Sequence, residues 1–233
     1  MTWFVLLLLS WLWAGSPLAQ MWPNPGPGRA ASGGGAGFTQ LAADPFGGGN
    51  GGLGANWTTI TSMGIPSVSS GGVIANQIGG ADSASAYTTI TWPNDQYAQV
   101  QVTTLASVNV GVGPVVRSVA GALTHYRATV KGPFGSTAVI RIEKWNAGTY
   151  ASLTGNVTIT LAANDVVRLT VTTSGANAVL TALVNGVSRA TFTDTGATNG
   201  AVIASGQAGL CVFVDSGVLS DGVLDNWAGG SIP

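Results

Sequence analysis

The sequence predicts an all-β fold built from antiparallel strands. Three observations lead to this prediction: short segments alternate apolar and polar side chains, turn-forming residues separate these segments, and no stretch has the spacing of an amphipathic helix. Asn185-Gly186, between two such segments, is a strong hairpin signal. Roughly ten to fourteen short strands joined by turns are typical of a sandwich or a barrel.

The alternating segments carry the strand prediction. In residues 97–105, the odd-numbered positions from Tyr97 to Thr103 carry polar side chains, and the even-numbered positions from Ala98 to Val102 carry apolar ones. Because side chains alternate across a strand, each such segment has one face for a core and one for solvent or a ligand. The same pattern predicts strands at residues 86–92, 125–131, 138–145, 157–161, 166–172 and 179–184.

The composition indicates a folded domain with an uncharged polar surface. Hydrophobic residues make up 45% of the sequence and charged residues 7%, whereas disordered chains combine low hydrophobicity with high charge. The formal net charge is −1, so nucleic acid, which binds basic surfaces, is not an expected partner. The single cysteine, Cys211, lies in an apolar run and is expected to be buried. Trp57, Trp92 and Trp227 are expected to pack in the core or at its rim.

The N-terminus has the features of an export signal. Residues 3–14 form an apolar run that is too short to span a bilayer as a helix but has the length of a signal-peptide core, and small residues follow it. No Lys or Arg precedes the run, so an uncleaved anchor or a misassigned start stays open. We predict a signal peptide at residues 1–20, a Gly/Pro-rich flexible lead at 21–37 and one domain at 38–232, without a membrane span after cleavage.

Several short motifs occur in an order and spacing that resemble one family. In chain order they are Phe38, Asp44-Pro45-Phe46, Asn56-Trp57, Asp95-Gln96-Tyr97, Asn164-Asp165 with Arg168, Asn185-Gly186 and Leu224-Asp225-Asn226-Trp227. Together, over about residues 38–230, they resemble the concanavalin A-like lectin and glucanase superfamily, which includes laminin-G-like jelly rolls.

The resemblance implies an antiparallel two-sheet jelly-roll β-sandwich in which the opening strand pairs beside the closing one. One sheet of such a fold is curved, and ligands are often held on its concave face or on the loops at its rim. Lectins, hydrolases and adhesion modules all use this fold, so the resemblance does not decide between binding and catalysis.

The acidic residues do not form the pair that hydrolases of this family use. Glycoside hydrolysis usually needs two carboxylates, and the resemblance implies that they stand two or four residues apart on one strand. Glu143 is the only glutamate, and no carboxylate stands at that spacing from it. An Asp pair from different strands stays open, with Asp215, Asp221 and Asp225 as candidates, although Asp is usual in turns. We therefore expect a binding protein rather than an enzyme.

Strand alternation predicts a set of polar side chains on one face of neighbouring strands. The predicted ligand-binding residues are Arg117, His125, Arg127, Arg141, Glu143, Trp145 and Arg168. A tryptophan can stack on a sugar ring while polar groups bind its hydroxyls, and arginines favour an acidic polysaccharide. The alternative is a solvated face with cross-strand charge pairs, such as Arg127 or Arg141 with Glu143.

The resemblance also implies a structural calcium ion between the chain ends or the rim loops. Ca²⁺ takes oxygen ligands from carboxylates and backbone carbonyls. Asp44 and Asp225 are the candidate ligands, with Asn226 near them. The alternative is that Asp44 caps the turn before Pro45 and that Asp225 starts a turn. No other cofactor is expected.

These observations lead to a secreted or cell-surface carbohydrate-binding or adhesion module that is not catalytic, with a polysaccharide or glycan as its partner. Two alternatives stay open. One is a glycoside hydrolase or a polysaccharide lyase of the same fold, the lyase using His125, Arg127 and a tyrosine. The other is a structural protein of a cell surface or virion without a small ligand.

Overall fold

A computed structural model describes residues 37–79 and 82–233 of the chain. The predicted signal peptide at 1–20 and nearly all of the flexible lead at 21–37 lie outside the described residues, so both stay predictions, as does the domain boundary of 38–232. Within the described ranges, no helix has the length and apolar character needed to cross a membrane.

Strands account for nearly all of the regular structure of the described residues, together with one short 3₁₀ helix at Leu219–Asp221. The all-β prediction is therefore confirmed. The strands are β1 (Thr39–Asp44), β2 (Gly51–Gly52), β3 (Trp57–Thr59), β4 (Ser67–Ser69), β5 (Gly72–Ile74), β6 (Ser83–Tyr87), β7 (Gln96–Leu105), β8 (Val110–Ser118), β9 (His125–Lys131), β10 (Ala138–Asn146), β11 (Thr149–Ser152), β12 (Val157–Ile159), β13 (Asp165–Ser174), β14 (Asn177–Val184), β15 (Val187–Asp194), β16 (Gln207–Val214) and β17 (Gly222–Ser231).

The described strands form two antiparallel sheets, which confirms the two-sheet jelly-roll prediction. The nine-stranded sheet has the order β15-β14-β13-β7-β17-β5-β4-β2, and β1 also pairs with β17. The eight-stranded sheet has the order β11-β10-β9-β8-β16-β6-β3, and β12 also pairs with β10. The opening strand does pair beside the closing one, with Thr39 opposite Ser231.

The core lies between the sheets and consists of the inward-facing residues that strand alternation predicts. Val100, Leu169 and Leu180 of the nine-stranded sheet pack in one cluster with Val130 and Ile140 of the eight-stranded sheet, and all five are fully buried. Burying such side chains contributes about 1.5–3 kcal/mol each to stability. This burial fixes the strand register, because a slip by one residue would move the apolar side chains to the outer faces.

Four aromatic rings pack together in the core. The ring centroid of Trp57 is 4.8 Å from that of Trp227 and 5.4 Å from that of Tyr87, and Trp92 is 6.0 Å from Trp227. Each of the three indole N–H groups donates a hydrogen bond, so none is left unsatisfied by burial. The three tryptophans and the buried Cys211 are core residues, as the sequence predicts.

A buried ion pair lies inside the core, where alternation turns a lysine of β10 inward. Nζ of Lys144 is 2.8 Å from Oδ2 of Asp194, and both side chains are fully buried. Nζ also donates to the carbonyls of Thr198 and Gly200, and the hydroxyl of Tyr126 donates to Oδ2 of Asp194 at 2.5 Å. Because Asp194 ends β15, the pair links the two sheets. Such a pair is tolerated in a core only when hydrogen bonds satisfy both partners.

We expect Lys144→Met to lower the free energy of unfolding by about 3–5 kcal/mol, because it leaves the buried Asp194 without its partner. Lys131→Met is the matched control. Nζ of Lys131 is 3.7 Å from Oδ2 of Asp215, whose side chain is 51% exposed, so the loss there should be about 0–1 kcal/mol. Urea denaturation followed by tryptophan fluorescence measures both variants. Equal losses would contradict a structural role for the core ion pair.

Candidate functional site

One face of the eight-stranded sheet, on the side away from the core, carries most of the predicted ligand-binding residues. Strands β9 and β10 pair so that Glu143 lies opposite Arg127 and Trp145 lies opposite His125, and β11 adds Tyr150 opposite Trp145. The intervening side chains of β9 and β10 belong to the core, as alternation predicts. We name as the polar face the residues His125, Arg127, Thr129, Lys131, Arg141, Glu143, Trp145 and Tyr150.

An ion pair between Arg127 and Glu143 stands at the centre of the polar face. Nε of Arg127 is 2.5 Å from Oε2 of Glu143, and both side chains are buried. Oε1 of Glu143 pairs with Nε of Arg141 and accepts a hydrogen bond of 2.9 Å from the Tyr150 hydroxyl. Nη1 of Arg127 donates to Oδ2 of Asp82. Two arginines, a tyrosine and two carboxylates thus hold one another in place.

The network keeps its charged groups ionised. Burial opposes the ionisation of Glu143, but Arg127 and Arg141 outweigh it and hold the pKa of Glu143 below its ordinary value. Burial also acts to lower the pKa of Arg127, whereas Glu143, Cys211 and Asp82 raise it, and the resulting pKa lies above the ordinary value. A general acid for glycoside hydrolysis needs a raised pKa, so the environment of Glu143 does not suit a proton donor.

Two aromatic side chains flank the ion pair and reach the surface. Trp145 is half-buried and Tyr150 is 40% exposed, and their ring centroids are 5.4 Å apart. The guanidinium carbon of Arg127 is 6.0 Å from the centroid of the Trp145 ring. An aromatic surface beside a few fixed polar groups suits a sugar, whose apolar ring face can stack while its hydroxyls form hydrogen bonds.

His125 is enclosed beside Trp145 and is neutral. Its side chain is fully buried, and neither ring nitrogen has a hydrogen-bond partner among the described residues. Burial, and to a lesser degree the charge of Arg127, hold the pKa of His125 well below its ordinary value. His125 therefore contributes packing to the polar face rather than charge.

Arg117 does not join the polar face, so its predicted place there is wrong. Alternation along β8 would turn it outward, but a register shift opposite β16 and a positive φ of 50° at Arg117 break the alternation. Its side chain is 1% exposed and donates to the carbonyls of Asn94 and Ile203 at 2.9 and 2.8 Å, and to Oγ1 of Thr173 at 2.8 Å. These contacts tie β8 to β13 and to two loops.

Arg168 lies on the other sheet, so its predicted place on the shared face is also wrong. After β12 the chain crosses to the nine-stranded sheet, where β13 pairs with β7 and β14. Nε and Nη2 of Arg168 donate to Oε1 of Gln99 at 2.9 and 2.6 Å, and its guanidinium carbon is 4.7 Å from the Phe38 ring and 5.1 Å from the Tyr97 ring. The expectation that consecutive strands are neighbours fails at this crossover.

Sequence reasoning missed two members of the network, Tyr150 and Asp82. Ala147 and Gly148 both have positive φ, 48° and 82°, and they form the turn that carries the chain from β10 to β11 and brings Tyr150 opposite Trp145. This Ala-Gly pair is the signal that could have revealed the hairpin. Asp82 had no such signal, because it reaches the network from a segment that is distant in the sequence.

The predicted calcium ligands lie near each other. Strand β1 pairs with β17 so that Asp44 is opposite Trp227, two residues from Asp225. Oδ1 of Asp44 accepts from the backbone N–H of Phe46 at 2.9 Å, which is the turn cap of the alternative interpretation, and Oδ2 accepts from Nε1 of Trp57 at 2.8 Å. Ca²⁺ takes about six to eight oxygens. Among the described residues, no group of three or more His, Cys, Asp and Glu side chains is placed so that it could hold a metal ion, so backbone and amide oxygens would have to complete a site.

No family model and no curated protein matches the chain by sequence. Solved structures do match its fold. The carbohydrate-binding module CBM66 from Bacillus subtilis matches with a TM-score of 0.51 and 16% identity, over 76% of this chain and 94% of that one. An endo-1,3-β-glucanase from Streptomyces sioyaensis matches with a TM-score of 0.54 and 11% identity, over 87% and 100%.

A third solved structure, a protein with a galectin-like fold from Bacillus subtilis, matches with a TM-score of 0.54 and 10% identity, over 83% of this chain and 98% of that one. In all three matches nearly the whole of the other chain is covered, together with 76–87% of this one. The chain therefore has the concanavalin A-like jelly-roll fold that the sequence motifs resemble.

We expect the protein to lose stability as the pH falls below about 6.5, the ordinary pKa of histidine. Folding lowers the pKa of His125, so below that pH the unfolded chain binds a proton that the folded chain does not. Stability is full above this pH and falls by about 1.4 kcal/mol for each unit below it. His125 is the only histidine, so His125→Gln should flatten the dependence between about pH 7.5 and 5.5.

Urea denaturation at a series of pH values measures this effect. The wild type should lose stability on acidification across this range, whereas the variant should be nearly constant. An unchanged slope in His125→Gln would show that another group titrates and that His125 is not held neutral by burial.

Proposed function

We propose that the chain is a non-catalytic carbohydrate-binding module and that a glycan binds along the polar face of the eight-stranded sheet. The observation that carries the proposal is the aromatic pair of Trp145 and Tyr150 beside the buried ion pair of Arg127 and Glu143. The rings offer a surface for stacking, and the ion pair holds polar groups rigidly next to it. Groups that are already ordered lose less entropy when a ligand binds.

The named relatives of the fold support a glycan as the partner. One is named as a carbohydrate-binding module and another as an endo-1,3-β-glucanase, so both names concern carbohydrates. The polar face offers the groups that such a ligand requires. The ring centroid of Tyr150 is 5.4 Å from that of the half-buried Trp145, so the Tyr150 hydroxyl is a polar group close to a sugar ring stacked on the indole. The guanidinium group of Arg141 lies further along β10 on the same face.

Export of the module is part of the proposal. Residues 3–14 of the sequence have the length and the apolar character of a signal-peptide core. Such a signal would bring the module to polysaccharides outside the cell.

A glycoside hydrolase is the second candidate, because two carboxylates, one from the polar face and one from the segment before β6, contact one guanidinium group. Both Glu143 and Asp82 bind Arg127. A glycosidase of this type needs one carboxyl group protonated at the start of the reaction and the other ionised. The pKa of Glu143 is held below its ordinary value by Arg127 and Arg141 against the effect of burial, which supports binding over cleavage.

We expect Trp145→Ala to weaken glycan binding roughly tenfold or more, because truncating an aromatic anchor costs more than about 1 kcal/mol of binding free energy. Val187→Ala is the matched control. It removes apolar surface from a residue that is 53% exposed on β15, the edge strand of the other sheet, and should leave binding unchanged. A glycan array, followed by calorimetry with the glycans that bind, measures both variants.

Three results would contradict the proposal. Equal glycan affinity of the wild type and Trp145→Ala would show that the glycan does not bind at the polar face. A folded wild type that binds no glycan but assembles into trimers or filaments would indicate a structural protein. Release of reducing ends from a β-1,3-glucan by the wild type but not by Glu143→Gln would identify a hydrolase.

A structural calcium ion at Asp44 and Asp225 is a separate proposal, implied by the fold family. Strand pairing places Asp44 opposite Trp227, two residues from Asp225. Burial raises the pKa of Asp225, and the charge of Asp44 adds to this shift. Calcium should therefore raise the melting temperature of the wild type, because an ion that binds only the folded chain stabilises it. Asp225→Asn should lose this response, and magnesium serves as the control ion. The same melting temperature in calcium and in a chelator would contradict the site.

A further inference from the structure

A surface pocket of about 240 Å³ opens at the end of the polar face away from Trp145. Its lining includes Lys131 of β9, Val139 and Arg141 of β10, and Asn156 just before β12. Strand β10 pairs with β9 so that Val139 lies opposite Lys131, and Arg141 stands two residues nearer to Trp145. The pocket is therefore continuous with the polar face.

Two cationic side chains line the pocket, and none of its described lining residues is acidic. Arg141 is 23% exposed and uses Nε for its ion pair with Glu143, so its two Nη nitrogens are the donors that could meet a ligand. Lys131 is 20% exposed, and its Nζ is 4.7 Å from the Phe213 ring and 3.7 Å from Asp215. Because the side chain of Asp215 is 51% exposed, this pair is weak and a ligand can replace it.

The acidic partners of these cations stand outside the pocket. Glu143 is fully buried and is already shared by Arg127, Arg141 and Tyr150. Neither Glu143 nor Asp215 belongs to the pocket lining. A ligand in the pocket therefore meets donors from both cations without an opposing carboxylate in the wall.

We propose that this pocket binds the anionic group of an acidic saccharide, a carboxylate or a sulfate ester, as one subsite of the glycan-binding face. The proposal rests on the function proposed above and specifies its substrate class. A guanidinium group offers parallel N–H donors that match two oxygens of such an anion. The ammonium of Lys131 adds a second positive charge, and the amide of Asn156 can bind a neighbouring hydroxyl.

The subsite lies at a distance that one bound glycan can cover. Arg141 and Trp145 are four positions apart along β10, which corresponds to about 13 Å at about 3.3 Å per residue. Linked sugar rings extend over such a distance. A glycan stacked on Trp145 therefore brings the acidic group of a later ring to the pocket.

The test compares acidic glycans with neutral counterparts of the same linkage and length, by calorimetry on the full chain. The probes are uronate oligosaccharides, the same oligosaccharides after reduction of their carboxyl groups, and sulfated oligosaccharides with their desulfated forms. The wild type should bind one acidic class about tenfold more tightly than its neutral counterpart, as expected for one charge-assisted contact. Added salt should reduce this preference. Whether the uronates or the sulfates gain affinity identifies the anion.

Lys131→Met should bring the ratio of acidic to neutral affinity close to one, and Arg141→Gln should do the same. Arg189→Gln, which removes an exposed charge from β15 on the other sheet, is the matched control and should keep the wild-type ratio. Lys131→Met is also the stability control described for the core, so its folding is measured independently.

Two outcomes overturn the proposal and leave the proposed function standing. In one, the wild type binds neutral glycans as tightly as acidic ones; in the other, Lys131→Met keeps the preference. In both cases glycans still bind to the wild type, and Trp145→Ala still weakens their binding. If the folded wild type binds neither acidic nor neutral glycans, the proposed function and the acidic subsite both fail.

Discussion

The ion pair between Arg127 and Glu143 constrains the whole polar face. Both side chains are buried, and removing one partner of such a pair costs about 3–5 kcal/mol of stability. The two side chains therefore stay paired in the folded protein. Glu143 also binds Arg141 and the hydroxyl of Tyr150, which gives the side chains of β9, β10 and β11 one arrangement. A ligand therefore meets a surface that folding has already ordered, and the cost of ordering it does not reduce the affinity.

A second buried ion pair lies on the opposite side of the same strand. Glu143 and Lys144 are adjacent in the sequence, and alternation turns the first to the polar face and the second into the core, where it pairs with Asp194. The outer pair orders the candidate ligand surface, and the inner pair links β10 to the nine-stranded sheet. Strand β10, which carries both Trp145 and Arg141, is thus held from both sides.

The antiparallel fold and three of the five members of the network could be predicted from alternation and turn signals, because β9 and β10 are consecutive and pair directly. The face residues predicted in this way are His125, Arg127, Arg141, Glu143 and Trp145. Arg168 was misplaced because no local pattern shows where the chain crosses between sheets, and Arg117 because a positive φ breaks the alternation. Tyr150 depends on an Ala-Gly turn that is a weaker signal than Asn-Gly. Asp82 is 45 residues from Arg127 in the sequence, so only the folded structure shows that the two side chains meet.

Mapping a bound glycan on the protein tests most directly whether the polar face is the binding site. Amide chemical shifts of the isotope-labelled chain are recorded while a glycan that binds is added in steps. If the glycan lies on the polar face, the shift changes concentrate on β9, β10 and β11. Shift changes concentrated on β13, β14 and β15 around Arg168, with β9 to β11 unaffected, would contradict this site.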